Sequence, residues 1–178
     1  MTTNLIILAA GMPHEGNGPA LLAKVNGKSL FNWQLNAIKS NRKPQVVIGY
    51  AAEKFEMLER CAQLFFNERW ETTKSAFSLM CADLTGESII TSYADILYRP
   101  NLYRKLNESN AEITFVYDSL WKQRFSDRCT EDLHSSEKVI VHNGNLQRAG
   151  QDIPVEWANG EFIGLVRFSG AALQFLRE

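Results

Sequence analysis

Three glycines, Gly11, Gly16 and Gly18, follow an apolar run from Leu5 to Ala10. A glycine-rich loop leaving a buried strand lets backbone N–H groups close on phosphate oxygens, and in open α/β sheets ligands sit beyond the carboxyl ends of the strands. The spacing fits neither G-x-G-x-x-G nor a Walker A loop, because no Gly-Lys-Ser/Thr follows. The same glycines also suit a plain flexible exit, and spacing alone leaves both readings open. Other residue types close off other chemistry. Cys61, Cys81 and Cys129 lie far apart with no C-x-x-C pair, and His14, His134 and His142 fall in no metal spacing, which excludes a zinc ribbon or disulfide framework and makes a reducing cytoplasm the expectation. Gly49-Tyr50 stand where a dinucleotide-binding second strand needs an acid for the ribose, against an oxidoreductase.

The elements that would position such a loop alternate along the chain. Leu5 to Ala10 reads as a strand buried on both faces and residues 11–19 as a loop; Leu30 to Lys39 has helical apolar spacing, and Gln45 to Ile48 is a second strand. Ala52 to Cys61 reads as a helix, Leu64 to Phe66 as a third strand, and Asn67 to Thr73 as a polar loop in which Thr73 caps a helix reaching about Leu84. Ser88 to Ser92 is a fourth strand ending at Tyr93-Ala94-Asp95, Asn101 to Asn107 a helix, and Ile113 to Tyr117 a fifth strand. Trp121 to Ser136 is polar and without a clear period. Val139 to His142, Asn143-Gly144 and Asn145 to Gln147 read as a β-hairpin; Glu161 to Phe168 is a strand and Ala171 to Glu178 a helix. Such β-α alternation predicts a mainly parallel sheet with helices on both faces.

The chain has 178 residues, 45% hydrophobic and 22% charged, with 19 Lys+Arg against 20 Asp+Glu and a net charge of −1. That length and texture suit one domain over 1–178 and exclude disorder as the main state. The balanced charge leaves no broad footprint for a nucleic-acid duplex or an anionic membrane, while a polyanionic small molecule needs only local charge. The N-terminus has no basic region, and the first apolar run is too short for a signal peptide or a membrane span. The expectation is a soluble cytoplasmic protein with neither nucleic-acid nor membrane partner.

Leu8-Ala9-Ala10-Gly11, Pro19, and Leu21-Leu22-Ala23-Lys24-Val25-Asn26-Gly27-Lys28-Ser29-Leu30 resemble the opening of the nucleotidyltransferases that activate phosphorylated small molecules. Val47-Ile48-Gly49-Tyr50 resembles their second strand. Asn67, Trp70 and Thr73 followed by Ser78-Leu79 are similar to a segment of the phosphocholine cytidylyltransferase branch, as are Ser92-Tyr93-Ala94-Asp95-Ile96 and Gly160-Glu161-Phe162-Ile163-Gly164. The stretch with Arg124, Arg128, Glu131 and Glu137-Lys138 is similar to nucleotidyltransferases of phosphonate metabolism. The five pieces run in the family's order from Leu5 to Phe168. The resemblance implies a three-layer α/β/α fold with a mainly parallel mixed sheet, of the nucleotide-diphospho-sugar transferase (GT-A-like) type, with a small β-hairpin insertion.

It also implies transfer of a nucleotidyl group, CMP from CTP, to a small phosphonate or phosphocholine-like acceptor with release of pyrophosphate. Mg²⁺ is the implied cofactor, with Asp95 as its ligand at a strand end and Glu161 as a second metal or acceptor contact. Ala9, Ala10, Gly11, Met12 and His14 would wrap the nucleotide's phosphates, and Thr73 and Ser78 would face its base or ribose. Asn67, Trp70, Arg124, Arg128, Lys138 and Glu161 would line the acceptor side. The sequence departs from the family at three positions: Pro13 replaces a glycine, Glu15 a phosphate-binding arginine and Ala20 a lysine. Lys24 and Lys28 are the candidate catalytic substitutes. A non-catalytic nucleotide-binding module of the same fold and a sugar-1-phosphate nucleotidyltransferase remain alternatives. The early end of the chain leaves room for a further segment, a fused catalytic domain or a homodimer.

Overall fold

The computed structural model describes residues 3–13, 18–38, 42–127 and 129–178. The chain divides into two compact units, Met1–Thr114 with Val166–Glu178, and Phe115–Leu165. His14, Glu15 and Arg128, singled out in the sequence, lie outside the described residues.

The first unit begins with β1 (Thr3–Ala9), in which Leu5, Ile6 and Ile7 are buried. After a 3-10 turn at Ala20–Leu22, β2 (Lys24–Val25) and β3 (Lys28–Ser29) form a short hairpin around Asn26 and Gly27, both at positive φ. Helix α1 (Leu30–Ile38) buries Leu30, Phe31, Gln34, Ala37 and Ile38, one stripe of a 3.6-residue period. The strand β4 (Gln45–Ile48) is buried throughout. The segment Ala52–Leu58 winds as a 3-10 helix where an α-helix was expected. Its two buried side chains, Phe55 and Leu58, stand three residues apart and so stack on one edge of a three-residue turn. There follow β5 (Gln63–Phe66), α2 (Ser75–Met80), β6 (Ser88–Tyr93) and α3 (Pro100–Asn107). Thr73 does not cap α2: the N-cap is Lys74, with no side-chain cap bond, because the Thr73 hydroxyl donates to the Arg69 carbonyl at 2.7 Å.

The sheet order is β5-β4-β1-β6, all parallel. Strand alternation gives the sheet two apolar faces. Ile6, Val47 and Ile89 face Leu79 of α2 and Leu173 of the C-terminal helix. The opposite face carries Ser92, whose hydroxyl donates to Gln34 of α1 at 3.1 Å, and α1 packs on α3. Helices on both faces make the three layers expected.

Along the chain the second unit starts within β7 (Ile113–Asp118) and stops within the final strand. The stretch read as aperiodic holds two short helices, α4 (Trp121–Arg124) and α5 (Thr130–Ser135). Trp121 is buried and meets Phe125 edge-on at 5.9 Å, an i, i+4 aromatic pair that a polar surround hides from a periodicity count. The strands β8 (Lys138–His142) and β9 (Asn145–Gly150) form the expected hairpin, with Asn143 and Gly144 at positive φ. β10 (Gly160–Ser169) runs antiparallel to β8, Glu161 opposite Lys138. Helix α6 (Gly170–Arg177) follows. Among the described residues no helix is long and apolar enough to cross a membrane.

Lys138 is buried, and its ammonium donates to the carbonyls of His134 at 2.6 Å and Ser136 at 3.1 Å, a cation at the end of α5 where carbonyls are exposed. Burial lowers its pKa from the usual 10.5, opposed by the charges of Asp152 and Glu161. A lysine depressed in the fold binds fewer protons there than in the unfolded chain, so its contribution to stability rises with pH between the folded value and 10.5. In Lys138→Met that rise disappears: thermal midpoints measured from neutral pH upward favour the wild type increasingly as 10.5 is approached, and a constant difference would contradict the assignment.

Candidate active site

The chain builds β1, adds β4 and β5 outward on one side, then returns to place β6 on the other. This reversal is a topological switch point, and the crevice beyond the strand ends there is where open α/β sheets bind ligands. The register makes the crevice concrete. Leu8 pairs with Tyr93 and Ala9 with Ile48, so the segments leaving β1, β6 and β4 start from one level. From β1 emerge Ala9 and Ala10, both buried, then Gly11 and Met12, both exposed. An added Cβ on Gly11 would meet nothing within 4 Å, so the glycine leaves open space above the strand end.

From β6 emerges Asp95. Its carboxylate is exposed and makes no hydrogen bond or ion pair with the described residues. The turn beneath it is tightly held. Gln34, on the buried face of α1, donates from Nε2 to the carbonyls of Tyr93 at 2.8 Å and Ile96 at 3.0 Å, while its Oε1 accepts from Ser92. Further along, burial raises the Tyr98 phenol above the usual tyrosine range, the nearby Ser92 hydroxyl partly offsetting it. Gln34 was not singled out from the sequence. The signal is there nonetheless: a polar side chain at i+4 within an apolar stripe must find polar partners when buried. One free carboxylate over a rigid turn suits a Mg²⁺ ion, which takes one or two carboxylates and fills its shell with water and phosphate oxygens. Among the described residues no group of three or more His, Cys, Asp and Glu gathers.

The β4 side is closed by a bracket. Tyr50 N donates to the Ala10 carbonyl at 2.9 Å, tying the β4 exit to the β1 exit. Trp70 lies on Gly49 so closely that a Cβ there would stand 2.6 Å from the Trp70 Cβ and 2.9 Å from the Ala10 oxygen. Tyr50 meets Trp70 edge-on at 5.6 Å. Asn67, expected toward an acceptor, is fully buried and donates from Nδ2 to Thr73 Oγ1 and Ser78 Oγ, both at 3.0 Å; its Oδ1 accepts from Arg69 N. Asn67, Thr73 and Ser78 therefore come together as a brace between β5 and α2, with Ser78 buried. Ser75 Oγ and Tyr93 Oη, 3.3 Å apart, join the start of α2 to the end of β6.

The remaining candidates lie on other elements. Lys24 is exposed on β2, and the Lys28 ammonium sits 4.6 Å over the Trp33 ring. Arg124, Lys138 and Glu161 belong to the second unit. There Arg124 is ion-paired with Asp118, Lys138 opens β8 with its buried ammonium bonded to the carbonyls of His134 and Ser136, and Glu161 stands on β10.

No family model matches the chain. Over 98% of its length it is 26% identical to the CTP:phosphoglutamine cytidylyltransferase of Campylobacter jejuni, covering 75% of that protein. Over 92% of its length it is 28% identical to the choline-phosphate cytidylyltransferase of Streptococcus pneumoniae, covering 68% of it. Its fold is that of the inositol-1-phosphate CTP transferase from T. maritima, with a TM-score of 0.73 at 19% identity over 97% of this chain and 72% of that one. The resemblance read from the order of the motifs thus recurs across nearly the whole chain.

The brace and the free carboxylate should respond differently to substitution. Gly49→Ala drives a methyl into Trp70 and costs about 1–3 kcal/mol. Urea denaturation should lower its midpoint well below that of Gly11→Ala, whose new methyl meets open space. Gln34→Leu strands the Tyr93 and Ile96 carbonyls and costs about 1–3 kcal/mol, whereas Asp95→Ala stays within about 0.5 kcal/mol of wild type. An equal loss in the last two would mean that Asp95 has a structural partner.

Proposed function

We propose that this chain transfers the cytidylyl group of CTP to a phosphate or phosphonate oxygen of a small acceptor, releasing pyrophosphate. The observation that carries the reading is the crevice at the switch point, where an open glycine exit from β1 stands beside the end of β6, whose Asp95 carboxylate is exposed and has no partner among the described residues. The two relatives, both cytidylyltransferases of phosphorylated small molecules, favour CTP and an anionic acceptor. A phosphonate or phosphocholine-like compound fits that class.

The chemistry asks little of protein nucleophiles. An acceptor oxygen already carrying charge attacks the α-phosphorus; the bond from that phosphorus to the bridging oxygen of the β-phosphate breaks, and the electron pair leaves with pyrophosphate. The obstacle is repulsion between two anions, so catalysis consists of holding them in line and stabilising charge as it shifts. Gly11 admits the nucleotide's phosphates close to the β1 exit. Gln34 fixes the turn that carries Asp95, so the backbone beneath the carboxylate is in place before ligand arrives. Asp95 would hold Mg²⁺. When bound, that ion supplies neutralisation of the triphosphate and of the departing pyrophosphate. Trp70 and Tyr50 wall the β4 side.

Calorimetric titration with CTP, ATP, GTP and UTP, each with and without Mg²⁺, is the direct test. Saturable binding that prefers CTP and strengthens with Mg²⁺ is expected, followed by pyrophosphate release with phosphocholine or 2-aminoethylphosphonate. Asp95→Asn should keep the thermal midpoint and lose metal-dependent turnover by about a hundredfold or more. Binding of no nucleotide by the wild type would end the proposal, and unchanged turnover in Asp95→Asn would remove Asp95 from the mechanism.

A further inference from the structure

From Gly11 to Ala23 the chain contains no lysine or arginine, and it places Glu15 in that span. A loop meant to meet a triphosphate therefore brings no side-chain cation of its own. Lys28 is engaged with Trp33, and Lys24 lies on the small hairpin. Among the described residues, the ammonium of Lys54 stands at Gly18. Lys54 Nζ stands 3.6 Å from the point where a Cβ on Gly18 would be, and Gly18 itself is held at φ +94°. Lys54 is exposed, and its ammonium makes no hydrogen bond or ion pair with the described residues.

Its position follows from the exits of the sheet. Tyr50 N is bonded to the Ala10 carbonyl, so β4 ends against the start of the loop. Ala51 then turns the chain through the left-handed region at φ 50°, and Lys54 N donates back to the Ala51 carbonyl at 3.0 Å. Phe55, the next residue, is fully buried and pins the segment. The backbone under Lys54 is thus fixed, while its exposed charged end stands beside Gly18. A compact ammonium with three donors is a natural partner for phosphate oxygens.

We propose that Lys54 is the phosphate-binding cation of this site, supplied by the segment after β4 and contacting the polyphosphate of the nucleotide rather than its base. This rests on the reading that the site takes CTP. It is tested by calorimetric titration of the wild type, Lys54→Met and Lys54→Arg with CTP and with CMP, with thermal midpoints recorded alongside. In Lys54→Met the affinity for CTP should fall about tenfold or more while that for CMP changes little, and Lys54→Arg should recover most of the loss. A loss equal for CTP and CMP, or none for CTP, overturns the assignment. Failure of the wild type to bind CTP is a separate outcome, seen before any substitution, and overturns the underlying reading together with this one. Lys54 is exposed, so the Met variant should fold; Lys54→Gln serves the same comparison should its midpoint drop.

Discussion

Parallel pairing along both edges of β1 is the constraint on which the site depends. With β4 on one side and β6 on the other, Ala9 opposite Ile48 and Leu8 opposite Tyr93, three chain segments leave the sheet from one level. Parallel strands are buried on both faces, and Ile6, Ile7, Val46, Val47, Ile89 and Ile90 are all almost completely inaccessible. A slip of one residue would turn each of these side chains to the wrong helix layer. The register is therefore held by the whole core, and the placement of Gly11, Asp95 and Gly49 relative to one another is inherited from it.

Above that rigid base, the polar groups divide into those that hold the backbone and those left for a ligand. Gln34 and Asn67 are both buried and both use their amide N–H groups within the protein, one on the Asp95 turn and one on the brace before α2. Removing a partner from a buried amide costs more than the bond contributes, so both turns are strongly specified. Asp95 and Lys54 show the opposite arrangement: fixed backbone, exposed charge, no partner among the described residues. For a reaction limited by repulsion between anions, such preorganised charge on a stiff frame is what the chemistry requires.

Much of this was legible in the sequence because the elements are local. The buried β1 run, the β-branched β4, the Asn-Gly hairpin and the strand carrying Tyr93 each announce themselves within ten residues. The open exit at Gly11 and the exposed acid at Asp95 follow from where those strands stop. What was not legible depends on which elements become neighbours. Thr73 reads as a helix cap until Asn67 and the Arg69 carbonyl claim its hydroxyl. Asn67 reads as a ligand contact until the fold buries it. Lys138 reads as an acceptor contact in a charged stretch until its ammonium is claimed by the carbonyls of His134 and Ser136. Trp121 was lost in a polar segment because two short helices give no period long enough to count.

The same reasoning bears on the three departures in the opening motif. A motif locates a charge by its place along one strand, but a phosphate responds only to where the charge stands in space. Here the tie between Tyr50 and Ala10 brings the segment after β4 against the loop after β1, so a cation on either segment reaches the same region. A lysine can be absent at Ala20 without leaving the loop uncharged, provided the neighbouring exit carries one at the right turn. Gly49 makes that possible: without a side chain it lets Trp70 and the Ala10 carbonyl approach together, which draws the two exits close enough for Lys54 to stand at Gly18.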